Sequence, residues 1–155
     1  MAYIVWGIVV LILDIMTKLI AELQLKVVGT IPLIQDIFHL TYVENRGIAF
    51  GMFSGQRWLF VIVTILVLGL LAWMYTQSSN QSRWLKWGTA LVYGGALGNL
   101  LERMAKGYVV DFLDFRLIQF PVFNLADIAV CVGAACLMIH FIFFDEKPKE
   151  GDTHE

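Results

Sequence analysis

Four long apolar runs constrain this chain more than anything else in it. They are Ala2–Ile20, Trp58–Tyr75, Trp84–Met104 and Phe123–Phe144. A helix rising about 1.5 Å per residue needs about 20 apolar residues to cross a hydrocarbon core ~30 Å thick, so each run is long enough to span. Burial in a soluble core is the alternative, and it fails on volume. The chain has 155 residues, 59% hydrophobic and 15% charged, with a mean hydropathy of +0.72. Soluble domains carry roughly 25% charged residues, and a chain this short has too little interior to hide so much apolar surface. The expected class is an all-α membrane protein with four transmembrane helices. A net charge of −2 leaves no basic footprint, so the expected partners include membrane lipids and no nucleic acid. The first run resembles a signal peptide in length, but it lacks a basic leading region and a clear small-x-small cleavage site and carries Asp14 and Lys18, so it is expected to be retained.

The connecting segments are short and polar. Within Glu22–Gln56, the β-branched and aromatic Phe38–Val43 suits a strand, Asn45-Arg46-Gly47 reads as a turn, and Ile48–Phe53 is a candidate return strand. A small extramembrane β hairpin or sheet is expected there. Thr76–Ser82 reads as a loop. Residues 1–144 are expected to form one integral-membrane domain, and 145–155 a charged, disordered tail. Cys131 and Cys136 are expected to be small buried apolar residues, since their spacing makes neither a redox nor a zinc pattern. The three histidines are dispersed, and no metal or other cofactor is expected.

The polar residues inside or beside the runs carry the functional signal. A carboxylate at membrane depth costs roughly 2.5–3.5 kcal/mol and is by default a functional hypothesis. The stretch Gly107–Asp127 holds three, Asp111, Asp114 and Asp127. Each has a plain reading. Asn124 with Asp127 three residues on is a natural helix cap. Asp111 and Asp114 read singly as solvated loop carboxylates. Asp14 and Lys18, at i and i+4, can pair locally. Asn99, Glu102 and Arg103 can close the end of the third helix. In the third run, Gly94 and Gly98 make a small-xxx-small face for close helix packing. An up-and-down arrangement nevertheless brings all these polar groups to one membrane face, which independent plain readings do not require. Asp111 and Asp127 are therefore expected to meet in space. Orientation is less direct. With cytoplasmic termini the inner segments hold Arg83, Lys86, Lys147 and Lys149, and the outer ones the other seven cations, against the positive-inside rule.

In these same residues the sequence resembles the bacterial lipoprotein signal peptidases, the signal peptidase II family. Asp14 to Lys18 fits the family's DxxTK, and Asn45 to Gly51 its NxGxAFG. Gly95 to Arg103 fits GALGNLxDR, Val109 to Phe112 fits VVDF, and Phe123 to Asp127 fits FNxAD. Each motif alone is weak, but five in order on a four-helix frame are specific. The resemblance implies a catalytic pair at Asp111 and Asp127. It implies supporting or substrate-binding roles for Asp14, Lys18, Asn45, Gly47, Asn99, Glu102, Arg103 and Asn124. It also implies an active site at the outer face of the bacterial cytoplasmic membrane, both termini in the cytoplasm, and a monomer acting on lipid-modified prolipoproteins. Glu102 departs from the family, which usually has Asp there. The charge is kept on a longer side chain, and a contact to Arg103 or to a loop group is expected.

Two carboxylates suit peptide hydrolysis. A pair a few ångströms apart keeps one proton, so one member acts as base toward water and the other as acid toward the carbonyl oxygen. A proton-coupled transporter is the main rival, since intramembrane Asp and Lys also mark ion paths. It would spread polar groups through the membrane depth, whereas the middles of the second and fourth runs are bare. A structural membrane subunit is the third reading.

Overall fold

The computed structural model describes residues 2–47, 55–118 and 120–144. Four long helices and a three-stranded sheet follow in the order α1 (Ala2–Val28), β1 (Thr30–Ile34), β2 (Phe38–Asn45), α2 (Arg57–Gln77), α3 (Arg83–Lys106), β3 (Val109–Phe115) and α4 (Leu125–Phe143), with a 3₁₀ turn at Arg116–Ile118. α1, α2 and α4 are long and apolar enough to cross a membrane. α3 carries Arg83, Lys86, Glu102, Arg103 and Lys106 and is not among them. It packs against α1, α2 and α4, so its less apolar surface meets protein.

Close approach at α3 depends on glycine. A Cβ on Gly94 would collide with the Gly7 carbonyl, and one on Gly98 with Asp14, both on α1. On another face, Gly95 and Gly88 would strike the Ala126 and Gly133 carbonyls of α4. The Gly94–Gly98 face is thus the α1 contact, and a second small-residue face, spaced seven apart, serves α4.

α1 runs about two turns beyond the apolar run that predicts it. Its buried residues Gly7, Asp14, Lys18, Ala21 and Leu25 continue one stripe past Ile20. The last turns pack Ala21 and Leu25 under Val110 and Phe112 of β3. Gly29 then ends the helix at φ +81°, donating to the Leu25 carbonyl, as Gly107 does after α3 with the Arg103 carbonyl. Both glycines turn a helix directly into a strand.

The sheet is antiparallel with β2 in the middle, between β1 and β3. The expected strand at Phe38–Val43 is therefore present, but its described partners are β1 and the Gly107–Asp127 stretch, which reads as a loop in sequence. The candidate return strand at Ile48–Phe53 lies outside the described residues, as does the 145–155 tail. β3 is unusual in being buried on both faces. Val110 and Phe112 face α1, so alternation turns Asp111 the other way.

Candidate active site

Four elements bring the site together. β2 pairs Val43 with Asp111 and Asn45 with Val109 after an irregularity between Leu40 and Val43. Asn45 is therefore the diagonal neighbour of Asp111 on one face, and its Nδ2 donates to Asp111 Oδ2 at 2.7 Å. Asn45 Oδ1 also accepts from the Gly47 N–H at 3.0 Å, holding the following backbone. On the other side of β3, backbone bonds between Leu113 and Phe123 fasten the start of α4 to the strand. The next residue, Asn124, is thereby placed beside Asp111.

Asn124 caps α4 as its sequence suggests. Its Oδ1 accepts from the Asp127 N–H at 3.0 Å, and its own N–H donates to Asp127 Oδ2 at 3.1 Å, a reciprocal capping box. The same side chain does more. Its Nδ2 donates to Asp111 Oδ1 at 2.6 Å, so one residue touches both carboxyl groups. Asn99 completes the bridge from α3, donating to Asp127 Oδ1 at 2.8 Å and accepting from Asn124 at 3.3 Å.

Behind these groups lies a buried charged layer. Lys18 donates to Asp14 Oδ2 and to Asn99 Oδ1, each at 2.7 Å. Asp14 Oδ1 accepts from the Ala126 N–H at 2.9 Å, an otherwise unpaired amide of the first turn of α4. The local i, i+4 pair exists, and it also crosses to α3 and α4. Both residues are at most 1% exposed, so their bonds compensate a large loss of hydration. Glu102 lies 3.6 Å from Lys18, pairs with Lys106 at 2.9 Å and accepts the Val110 N–H at 2.9 Å. Its partner is thus a strand amide next to Asp111. Among the described residues no ion pair joins Glu102 to Arg103. Arg103 instead lays its guanidinium 5.0 Å from the centre of the Phe60 ring on α2.

A cleft of about 480 Å³ opens over the carboxyl groups. Asn45, Gly47, Arg103, Asp111 and Asp127 line it, together with the apolar Phe120–Phe123 segment and one face of α4. Cys131, one turn beyond Asp127, is part of that face and is exposed, while Cys136 is half-buried, so neither cysteine is the buried apolar filler expected. The i+4 spacing from Asp127 was the available signal for Cys131.

Burial pushes the Asp111 carboxyl up to about 6. The bonds from Asn45 and Asn124 and the charge of Lys18 oppose that rise, and the neighbouring charge of Asp127 adds to it. Asp114 behaves differently. It shares the parity of Val110 and Phe112, so it faces away from Asp111. It is buried rather than solvated, and Thr41 at 2.6 Å and Arg116 at 2.8 Å hold it. These bonds outweigh burial and keep its carboxyl below the usual range. His140 is also fully buried, against Ser82 at 3.0 Å at the opposite end of the bundle, remote from this site.

A family model described as signal peptidase (SPase) II matches residues 6–143. The chain belongs to the signal peptidase II family. A lipoprotein signal peptidase of Halothermothrix orenii is 49% identical over 147 residues, covering 95% of this chain and 98% of that one. One from Clostridioides difficile strain 630 is 43% identical, covering 96% and 100%. Two solved bacterial membrane enzymes superpose with TM-scores of 0.85 and 0.82 at 29% and 30% identity, covering 99% and 92% of the chain and 94% of each of theirs. With three apolar spanning helices, this signal peptidase II family member is a multi-pass membrane protein. Every supporting residue expected from the sequence belongs to the network or the cleft. Lys106 and Glu22, bonded at 2.6 Å, extend it to the rim and were not anticipated, although the i, i+4 spacing of Glu102 and Lys106 was visible.

Proposed function

We propose that this protein removes the signal peptide from diacylglyceryl-modified prolipoproteins, cleaving before the lipidated cysteine, with Asp111 and Asp127 as the catalytic pair. The observation that carries this reading is Asn124, whose one side chain and amide touch both carboxyl groups at the floor of a single cleft. A helix cap alone has no need of Asp111, and a strand carboxylate alone has no need of α4. The names of its relatives, lipoprotein signal peptidases, supply the substrate class.

The mechanism follows from the shared proton. In this reading Asp111, whose carboxyl burial raises, carries it. Asp127 takes a proton from water as the water oxygen attacks the carbonyl carbon, and Asp111 gives its proton to the carbonyl oxygen. The tetrahedral intermediate then collapses: the C–N bond breaks, the leaving nitrogen receives the proton from Asp127, and Asp111 recovers its proton from the hydroxyl oxygen. The pair returns to its starting state with one water consumed. Asn45, Asn99 and Asn124 hold the two carboxyl groups in register. Asp14 and Lys18 fix Asn99 and the start of α4, Glu102 fixes Val110, and Gly47 and Arg103 line the substrate cleft. The apolar wall formed by Phe120, Val122 and α4 suits a substrate that reaches the site from lipid.

In this reading α3 is the fourth transmembrane helix, its polar residues sheltered by the other three. The termini are cytoplasmic, the dyad faces the outer side of the cytoplasmic membrane, and one chain holds the whole site. Apart from His140 at the opposite end, the buried polar residues cluster at one end of the bundle, which disfavours an ion path through its length.

The test is gel-shift cleavage of a lipidated precursor by purified protein in detergent. Asp111→Asn and Asp127→Asn should each abolish cleavage, and the double variant should be no worse, because residues acting as a unit are non-additive. Melting of each variant should show a folded protein. If Asp127→Asn stays folded and cuts at the wild-type rate, Asp127 is only a cap and the pair is not the catalyst.

A further inference from the structure

A second, larger cavity lies away from the carboxyl groups. α1 crosses α3 tightly at Gly7 and Gly94, while α2 is held to α3 elsewhere, at Leu68 and Leu71 against Val92 and by the Tyr93 hydroxyl on the Leu68 carbonyl. Between α1 and α2 a groove of about 590 Å³ is left over the α3 surface. It has a polar end and an apolar end. Lys86 and Gln81 stand at the first, Ile8, Leu11 and Leu97 farther along. Lys86 to Leu97 is eleven residues of α3, about 16 Å at 1.5 Å per residue, or about half of a ~30 Å hydrocarbon core. The polar end is the one remote from β3 and the dyad.

Among the described residues, two polar groups there lack partners. Lys86 has no carboxylate within ion-pair distance among the described residues. Thr89, one turn deeper, buries its Oγ1 without any hydrogen bond, although a helical threonine can ordinarily return to the carbonyl four residues back. A cation at the mouth, then an unused hydroxyl, then one leaflet's depth of apolar wall repeats the order of an anionic glycerophospholipid: phosphate, glycerol ester, acyl chain. A transmembrane peptide fits less well. A helix about 10 Å across and ~16 Å long occupies about 1,260 Å³, and it would not end at mid-bilayer.

We propose that this groove binds one anionic glycerophospholipid from the leaflet opposite the dyad. Its phosphate lies at Lys86, an ester oxygen accepts from Thr89, and one chain lies along Ile8, Leu11 and Leu97. The proposal rests on the reading of α3 as a spanning helix, and it does not depend on the dyad.

The experiment is native mass spectrometry of the full chain released from detergent after titration with phosphatidylglycerol or phosphatidylcholine. The wild type should retain one lipid and prefer the anionic one about fivefold, the worth of one cation beside an anionic headgroup. Lys86→Gln should bring the ratio close to one. Ile8→Trp, which fills the groove from a half-exposed position, should lose the adduct. Asp111→Asn should bind lipid like the wild type, which separates this result from the peptidase reading. Precursor cleavage and melting on the same samples report the site and the fold. An unchanged lipid ratio in Lys86→Gln, or full binding in a folded Ile8→Trp, would overturn the proposal. So would a photo-crosslinker at Ile8 that captures the precursor's signal helix instead of lipid.

Discussion

Removing Asn45 tests both the proton count of the pair and the role of β2 in setting it. Asn45 donates to Asp111 Oδ2 at 2.7 Å, and Asp111 is 1% exposed, so little water is at hand to replace the bond. A hydrogen bond to a charged group contributes about 1.5–3 kcal/mol, and one pKa unit is about 1.36 kcal/mol. The bond favours the ionised carboxyl, so Asn45→Ala should raise Asp111 from about 6 by about 1 to 2 units. The proposed mechanism needs one proton on the pair, so activity falls as that proton leaves. The alkaline limb of the kcat/KM profile should therefore sit near pH 6 in the wild type and move up by that shift in the variant. Stability follows the same sign. A carboxyl raised in the folded state contributes stability that is fully present below its unfolded value of 3.8 and lost as pH rises through about 6. In Asn45→Ala that loss should move to higher pH. The assay is initial-rate cleavage of a lipidated precursor from pH 5 to 9, with melting at each pH. Asn45 also lines the cleft, so the height of the profile will drop for other reasons, and its position is the diagnostic. A limb that stays in place or moves to lower pH, in a variant that melts normally, would refute the reasoning.

Glu102→Ala should leave the Val110 N–H unpaired beside Asp111, at about 1–3 kcal/mol, lowering the melting temperature and most of the activity. Glu102→Asp keeps a carboxylate there and should retain most activity, and equal cleavage by all three proteins would make Glu102 a bystander. Asp114→Asn should cleave normally and lose about 1 kcal/mol of stability, since Asp114 serves the sheet through Thr41 and Arg116; a dead enzyme would place it in the chemistry. Gly98→Ala puts a methyl group onto Asp14 and should cost about 1–3 kcal/mol while cutting the rate at least tenfold, read from melting and cleavage together. A reporter enzyme active only in the cytoplasm, fused after Glu155, should work, and a silent one beside an active export-dependent fusion would reverse the proposed orientation.

What the sequence determined by itself was mostly local. Helix periodicity, apolar length and capping chemistry act within a few residues, so the four helices lie close to their apolar runs. The Asn124–Asp127 box forms as its spacing dictates, and Asp14 meets Lys18 one turn away. The gathering of polar groups at one end follows from alternating helix direction. Tertiary structure decided what those groups do. β3 reads as a loop because its partner, β2, lies more than sixty residues earlier, and its double-sided burial depends on α1 running past the expected end of its span. Strand parity separates Asp111 from Asp114, although as letters the two look equivalent. The irregularity in β2 aims Asn45 at Asp111, and the Leu113–Phe123 pairing carries Asn124 to the same carboxyl. Glu102 found a strand amide in place of the adjacent arginine, because a buried N–H must be satisfied wherever packing leaves it. The groove between α1 and α2 has no local signature at all. It is the space left when two helices pack on separate faces of a third, and only their placement in three dimensions creates it.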